Sequence, residues 1–196
     1  VNFAEKNYPE ILPHLSSTRS PQQCLGSLVK RYLPEKMGVS ASQIRMVSIM
    51  PCTAKKEEAG RPEFTHEGLP DVDVVLTIRE FAKLLRGEGV DLKTLPPTPF
   101  DNPYLAEFSG AGVIFGTSGG VMEAALRTLY YAVNGKELGV VEVQAVRGEA
   151  SLRTATVDVG GEVGMVRVAI CQSLKAARAI AESVLAGTSE YDFIEV

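Results

Sequence analysis

The run Met50-Pro51-Cys52-Thr53-Ala54-Lys55-Lys56-Glu57-Glu58 gathers residue types suited to holding a metal-bound anion. Cys52 follows an apolar stretch that reads as a strand, and ligands collect at strand C-terminal ends in open α/β sheets. Pro51 stiffens the approach. Lys55 brings a positive charge three residues on, and Glu58 is spaced to hold that ammonium across one helical turn. A metal needs the thiolate form of cysteine. Residue types alone favour the plainer reading, a buried, inert thiol followed by a solvated charged turn.

A second segment runs from Ser109 to Glu123 as SGAGVIFGTSGGVME. It reads as a strand, a small-residue turn and a helix. Gly116, Gly119 and Gly120 would let backbone approach a ligand, and free N–H groups at a helix start favour anions. The spacing is neither GxGxxG nor a phosphate loop ending in Gly-Lys-Ser/Thr. A tight turn with close helix–strand packing explains the same glycines. The third segment, Leu15 to Gln23, is a polar loop in which Ser20 caps a helix and Pro21 takes its first position.

The elements that must position these segments follow from periodicity and punctuation. Residues 2–12 read as a helix stopped near Pro13, and a second helix runs from Ser20-Pro21 to about Leu33. Ile44–Met50 and Val72–Thr77 read as buried strands. Thr53 is placed to cap a short helix, and Ile78–Arg86 forms another, ending at Gly87. Residues 94–103 carry four prolines and read as a surface loop. Gly112–Phe115 reads as a third strand, and Gly119-Gly120 opens a helix over 121–134. Val140–Val146 is a strand, and Ser151–Val159 and Val163–Ile170 form a hairpin across Gly160-Gly161. A helix over 172–186 and a strand from Phe193 to Val196 complete the chain. Strands alternating with helices predict an α/β fold, parallel for most of the sheet, with a late antiparallel hairpin and no interdomain linker.

Composition sets outer bounds. The 196 residues are 45% hydrophobic and 22% charged with a net charge of −4, which suits a folded domain. Lys and Arg are spread along the chain, so no nucleic-acid footprint is expected. No apolar run is long enough to span a membrane, and the start lacks the basic and apolar regions of a signal peptide. Three dispersed cysteines exclude a disulfide framework and point to a reducing, cytoplasmic setting; two histidines without ligand spacing argue against zinc.

Together, and in this order, the three segments resemble the catalytic domain of iron-only ([FeFe]) hydrogenases over essentially the whole chain. Residues 50–58 match every fixed position of that family's M-P-C-x-x-K-x-x-E motif. Five fixed residues coincide by chance at roughly one site in three million. Phe115–Arg127, FGTSGGVMEAALR, matches the family's glycine-rich signature except that Ser118 stands where Thr is usual, and the SPQQ at 20–23 also fits. Phe193-Ile194-Glu195-Val196 matches the F-x-E-x that opens the family's third cysteine motif; the first motif lies ahead of sequences like that at Val1.

The resemblance implies the central part of a two-lobed cluster domain over residues 1–196. It implies that Cys52 is a ligand of a [4Fe–4S] cluster bridged to a diiron unit, that Lys55 donates to a cyanide of that unit, and that Glu58 pairs with Lys55. Gln22, Met50, Phe115 and Val121 would line the diiron pocket. Gly116, Ser118, Gly119 and Gly120 would bring backbone to the cofactor, and Ser16 would lie on the proton route. Cys24 and Cys171 align with no ligand and read as small buried hydrophobes. The implied reaction is the reversible reduction of two protons to hydrogen. The implied partners are ferredoxin or a similar carrier, maturation proteins and the rest of the same hydrogenase. With one cluster cysteine, the chain alone is expected to be inactive and without the complete cofactor. A periplasmic form stays open. So does the alternative of a cofactor-free scaffold, or of an iron–sulfur assembly factor that shares the fold.

Overall fold

The computed structural model describes residues 1–100, 107, 109–140, 144–146 and 149–196, with backbone only at 144–146 and 149–150. The chain divides into two compact units. One is Ser17–Glu107, and the other joins Val1–Ser16 to Phe108–Val196.

The first expected helix breaks in two. Helix α1 covers Asn2–Asn7, and a 3-10 turn covers Pro9–His14. Pro9 pushes Tyr8 out of helical conformation, to φ −142° and ψ 60°. Helix α2, Pro21–Met37, starts as expected: Ser20 accepts the Gln23 N–H. It passes its expected end at Leu33, because Pro34 sacrifices only one hydrogen bond and Gly38 supplies the left-handed cap at φ 66°.

In the Ser17–Glu107 unit, strand β1 (Val47–Met50) leads to helix α3 (Ala54–Ala59). A short hairpin of β2 (Thr65–His66) and β3 (Leu69–Pro70) follows. Strand β4 (Val74–Thr77) then pairs parallel with β1, Val47 opposite Val74 and Met50 opposite Thr77. Both long strands are shorter than their apolar runs. Ile44 is diverted: its carbonyl accepts from Lys30 Nζ at 2.6 Å. Asp73 is held by Lys30 at 2.7 Å and by the Met46 N–H at 2.6 Å. Burial pushes the Asp73 carboxyl up, but the Lys30 and Met46 hydrogen bonds outweigh it and hold it below the usual range. Beside this pair, Arg19 bonds the buried Asp71 carboxylate. Gly26 lets α2 approach closely, since a Cβ there would lie 2.6 Å from the Asp71 carbonyl oxygen.

Helix α4, Ile78–Gly87, opens with a capping box between Thr77 and Glu80, and Lys56 bonds the same carboxylate at 2.8 Å.

In the other unit, Gly110–Ile114 is helix α5 and not the expected strand. A short apolar run has no period to separate strand from helix. Phe115 N–H closes a helical bond to Ala111, and no neighbouring strand among the described residues offers a ladder. Helix α6 spans Gly120–Asn134, ended by left-handed Gly135.

A four-stranded sheet follows in the order β5 (Gln144–Val146), β6 (Glu149–Asp158), β7 (Met165–Cys171) and β8 (Phe193–Glu195). Residues 141–143 of the expected strand lie outside the described residues. The hairpin is antiparallel as expected, though its turn runs from Val159 to Gly164 and uses Gly160, Gly161 and Gly164 at positive φ. Strand β8 lies parallel to β7. Helix α7, Leu174–Leu185, is capped by Ser173.

Strand β7 is apolar almost throughout because both its faces are covered. Val168 and Ile170 pack with Met122 and Leu126 of α6, while Ala169 and Cys171 pack with Ala176, Ala177 and Ile180 of α7. The mixed α/β class is therefore as expected, with parallel pairing at β1–β4 and β7–β8.

Glu80 carries a testable pH dependence. The Lys56 hydrogen bond, then Thr77, holds its carboxyl down to about 2, against 4.5 ordinarily. A lowered carboxylate contributes stability above its unfolded value and loses it as pH falls toward the folded one. Acid titration is expected to weaken α4 progressively between these values. The Glu80 side-chain carboxyl resonance should titrate near 2, and Glu80→Gln should remove that part of the acid sensitivity.

Candidate functional site

The Cys52 segment is built where β1 ends. The strand delivers half-buried Met50, Pro51 turns the chain, and Cys52 is exposed immediately before α3. Thr53 occupies the cap position of α3 but lies in helical conformation and makes no side-chain cap bond. The two adjacent lysines diverge. Lys56 reaches back to the Val75 carbonyl at 3.0 Å and to Glu80. Lys55 pairs with Glu58 at 2.7 Å, as its spacing predicts.

Glu58 is fixed in turn. Its Oε1 accepts from Ser20 Oγ at 2.5 Å and from Gln22 Nε2 at 3.5 Å, while Oε2 accepts from Lys55. Gln22, only 4% exposed, bridges the elements: Ser48 Oγ of β1 donates to its oxygen at 2.8 Å, and its nitrogen donates to the Lys55 carbonyl at 3.3 Å. The first turn of α2, the middle of β1 and α3 thus meet on one hydrogen-bonded network. Glu58 takes one of the three ammonium donors of Lys55. Among the described residues no second acceptor takes another. Nothing in the sequence marks Ser48 as a site residue, and Ser20 enters there only as a helix cap and as part of the SPQQ match. The helix-cap role of Ser20 is legible there, but its bond to a carboxylate 38 residues on is not.

The glycine-rich turn belongs to the other unit, as does exposed Ser16; Gln22, Met50, Cys52, Lys55 and Glu58 belong to the Ser17–Glu107 unit. Phe115 and Val121 are 38% and 40% exposed on either side of the turn. The three glycines have different reasons. Gly119 stands at φ 86°, and a Cβ there would meet Ile170 Cδ1 at 2.6 Å. At Gly120 a Cβ would sit 1.8 Å from the Ile114 carbonyl oxygen. Gly116 has open space where a Cβ would go, so packing among the described residues does not explain it. The Ser118 carbonyl accepts from Arg153, and the Gly119 and Met122 amides donate to Glu195. No sequence signal points to Arg153 or to the capping role of Glu195.

The other cysteines serve no visible site. Cys171 is buried, and burial pushes its thiol up, as expected for a small core residue. Cys24 corrects the expectation: it is exposed on α2, its sulfur 3.4 Å from the Arg19 carbonyl oxygen, because the buried positions of that helix are Gln22, Gln23, Gly26 and Lys30.

A [4Fe–4S] cluster takes about four thiolates. Among the described residues no group of three or more His, Cys, Asp or Glu side chains could hold a metal ion. The residues present therefore do not fit a complete cluster; Cys52 is at most one ligand of it. No helix among the described residues is long and apolar enough to cross a membrane.

Comparison with known proteins gives the family. The sequence pattern of the C-terminal domain of the iron-only hydrogenase large subunit matches residues 1–196. The periplasmic [Fe] hydrogenase large subunit of Nitratidesulfovibrio vulgaris is 44% identical over 193 residues, 98% of this chain and 45% of that protein. A cytosolic Fe–S cluster assembly factor of Danio rerio is 33% identical over 207 residues, 100% of this chain and 48% of that protein. The solved apo [FeFe]-hydrogenase of Chlamydomonas reinhardtii superposes with a TM-score of 0.81 at 37% identity, covering 98% of this chain and 55% of that one. The chain thus spans about half the length of the relatives it matches.

The glycines give a graded prediction. Gly116→Ala should change stability by no more than about 0.5 kcal/mol. Gly119→Ala should cost roughly 1–2 kcal/mol for its left-handed backbone. Gly120→Ala, which must push backbone apart, should cost roughly 3 kcal/mol or more. Denaturant unfolding of the three variants checks the order, and an equal cost at all three positions would contradict it.

Proposed function

The chain belongs to the family defined by the C-terminal domain of the iron-only hydrogenase large subunit, and we propose that the protein it belongs to interconverts protons and electrons with hydrogen. The observation that carries this reading is Lys55, three residues after exposed Cys52, held by Glu58 with donors to spare. In this reading the chain is the central part of the cluster domain. Cys52 is one [4Fe–4S] ligand, and the others come from outside these residues. The cluster and diiron unit supply the redox chemistry when bound.

The chain's own residues supply the setting. Lys55 would donate to a cyanide, a charge-assisted bond, and Glu58 would keep the ammonium aimed. Gln22, Met50, Phe115 and Val121 would line the diiron pocket. Gly116 would admit backbone to the cofactor, with Ser118, Gly119 and Gly120 completing that turn. Ser16 would lie on the proton route. A ferredoxin-like carrier would supply electrons, maturation proteins would insert the diiron unit, and the cytoplasm is the compartment that the free cysteines favour. A periplasmic setting is the alternative that the Nitratidesulfovibrio relative brings.

The Danio rerio relative supports a second reading, in which the protein serves iron–sulfur assembly without hydrogen chemistry. Maturing the full-length protein and assaying hydrogen evolution with reduced viologen separates the two. The hydrogenase reading expects activity, its loss in Cys52→Ser, and a fall of about 10–100-fold in Glu58→Gln, as for other groups that orient a ligand's partner. A matured protein that loads iron–sulfur clusters but evolves no hydrogen would favour assembly. The 196-residue chain by itself should evolve none, because one thiolate cannot stand for four.

A further inference from the structure

The peptide bond between Ser118 and Gly119 is held from both sides by side chains of opposite charge. Arg153 Nη2 donates to the Ser118 carbonyl at 2.8 Å. The Gly119 N–H donates to Glu195 Oε1 at 2.8 Å, and the other carboxylate oxygen accepts the Met122 N–H at 2.8 Å. Gly119 is the N-cap of α6 and has no side chain with which to cap it. Glu195 does so from β8, 76 residues further along the chain. Gln172, with its amide oxygen toward the guanidinium, accepts from Arg153 at 2.9 Å and from Ser118 Oγ at 3.3 Å, which steadies the cation.

The two contacts act in the same sense. A cation on the carbonyl and an anion on the N–H of one peptide group both favour one orientation of its dipole. Rotating that peptide plane would set each charge against the wrong end. The restraint matters because glycine moves cheaply between backbone regions. Hydrogen bonds to charged groups are about twice as strong as neutral ones.

We propose that Arg153 and Glu195 are positioning residues that clamp the Ser118–Gly119 peptide and thereby fix how the turn from Phe115 to Val121 is presented. The clamp follows from geometry alone; its bearing on hydrogen chemistry rests on the function proposed above. Through Glu195, the β8 end of the chain is tied directly to that turn, so a displacement of β8 would be felt at Gly119.

Amide hydrogen exchange at Gly119 and Met122 tests the clamp, with hydrogen-oxidation kinetics measured on the same full-length preparations. Glu195→Ala should raise exchange at both amides by about tenfold, the equivalent of one net hydrogen bond. Arg153→Met should do the same at Gly119. The double variant should add less than the sum of the two at Gly119, because freeing either side frees the same peptide. Arg153→Lys, which keeps a donor for the Ser118 carbonyl, should restore exchange to within about twofold. Glu195→Gln keeps one acceptor oxygen and should fall between, which preserves the test should Glu195→Ala fail to fold. In an active enzyme kcat should fall in the same order with KM for hydrogen unchanged. Exchange unaltered in Arg153→Met and Glu195→Gln would overturn the proposal. Faster exchange with unaltered kcat would equally overturn the positioning role. A wild-type protein without hydrogen activity would refute the hydrogenase reading, and the exchange result would then decide the clamp by itself.

Discussion

The Ser17–Glu107 unit turns on one carboxylate. Glu58 receives Lys55, Ser20 and Gln22, and so joins the start of α2 to α3 at the end of β1. Hydrogen bonds to a charged group contribute about 1.5–3 kcal/mol each where they are shielded. Glu58 is 20% exposed, so some of that is lost to solvent. What remains is geometric: the Lys55 ammonium pairs with a carboxylate that is itself tied to the start of α2, and Cys52 precedes Lys55 by three residues.

The other unit depends on β7. Because that strand is covered on both faces, its alternate residues commit α6 to one side and α7 to the other. The start of α6 is thereby set against Ile170, and the glycine turn must fit what space is left. Gly119 meets that demand against Ile170, Gly120 is required by the turn from Ile114 that precedes it, and Gly116 is under neither constraint. A glycine-rich signature that looks uniform in sequence thus separates into two residues that local packing requires and one that it does not.

Much of the fold is legible from local chemistry. Ser20-Pro21, Gly135 and Gly160-Gly161 punctuate the chain where helices and strands start or stop, since capping and left-handed turns depend on residues close in sequence. Local patterns mislead where the competition is tertiary or where two signals are equal. Pro9 outweighs an apolar helical pattern, Pro34 fails to end α2, and Gly112–Phe115 has no period to choose helix over strand. Cys24 is a core residue by type, but buried Gln22, Gln23 and Lys30 claim the inner face of α2.

The amino-acid sequence by itself determined the family frame, the Cys52–Lys55–Glu58 spacing and the α/β class, because each depends on residue identity at short separation. Only the tertiary structure decided what holds that frame: Ser20, Gln22 and Ser48 around Glu58, and Arg153 and Glu195 around the Ser118–Gly119 peptide. Those contacts join residues 26 to 76 positions apart. Hydrogen bonds of that reach are set by how strands and helices pack, which no local pattern of residues records.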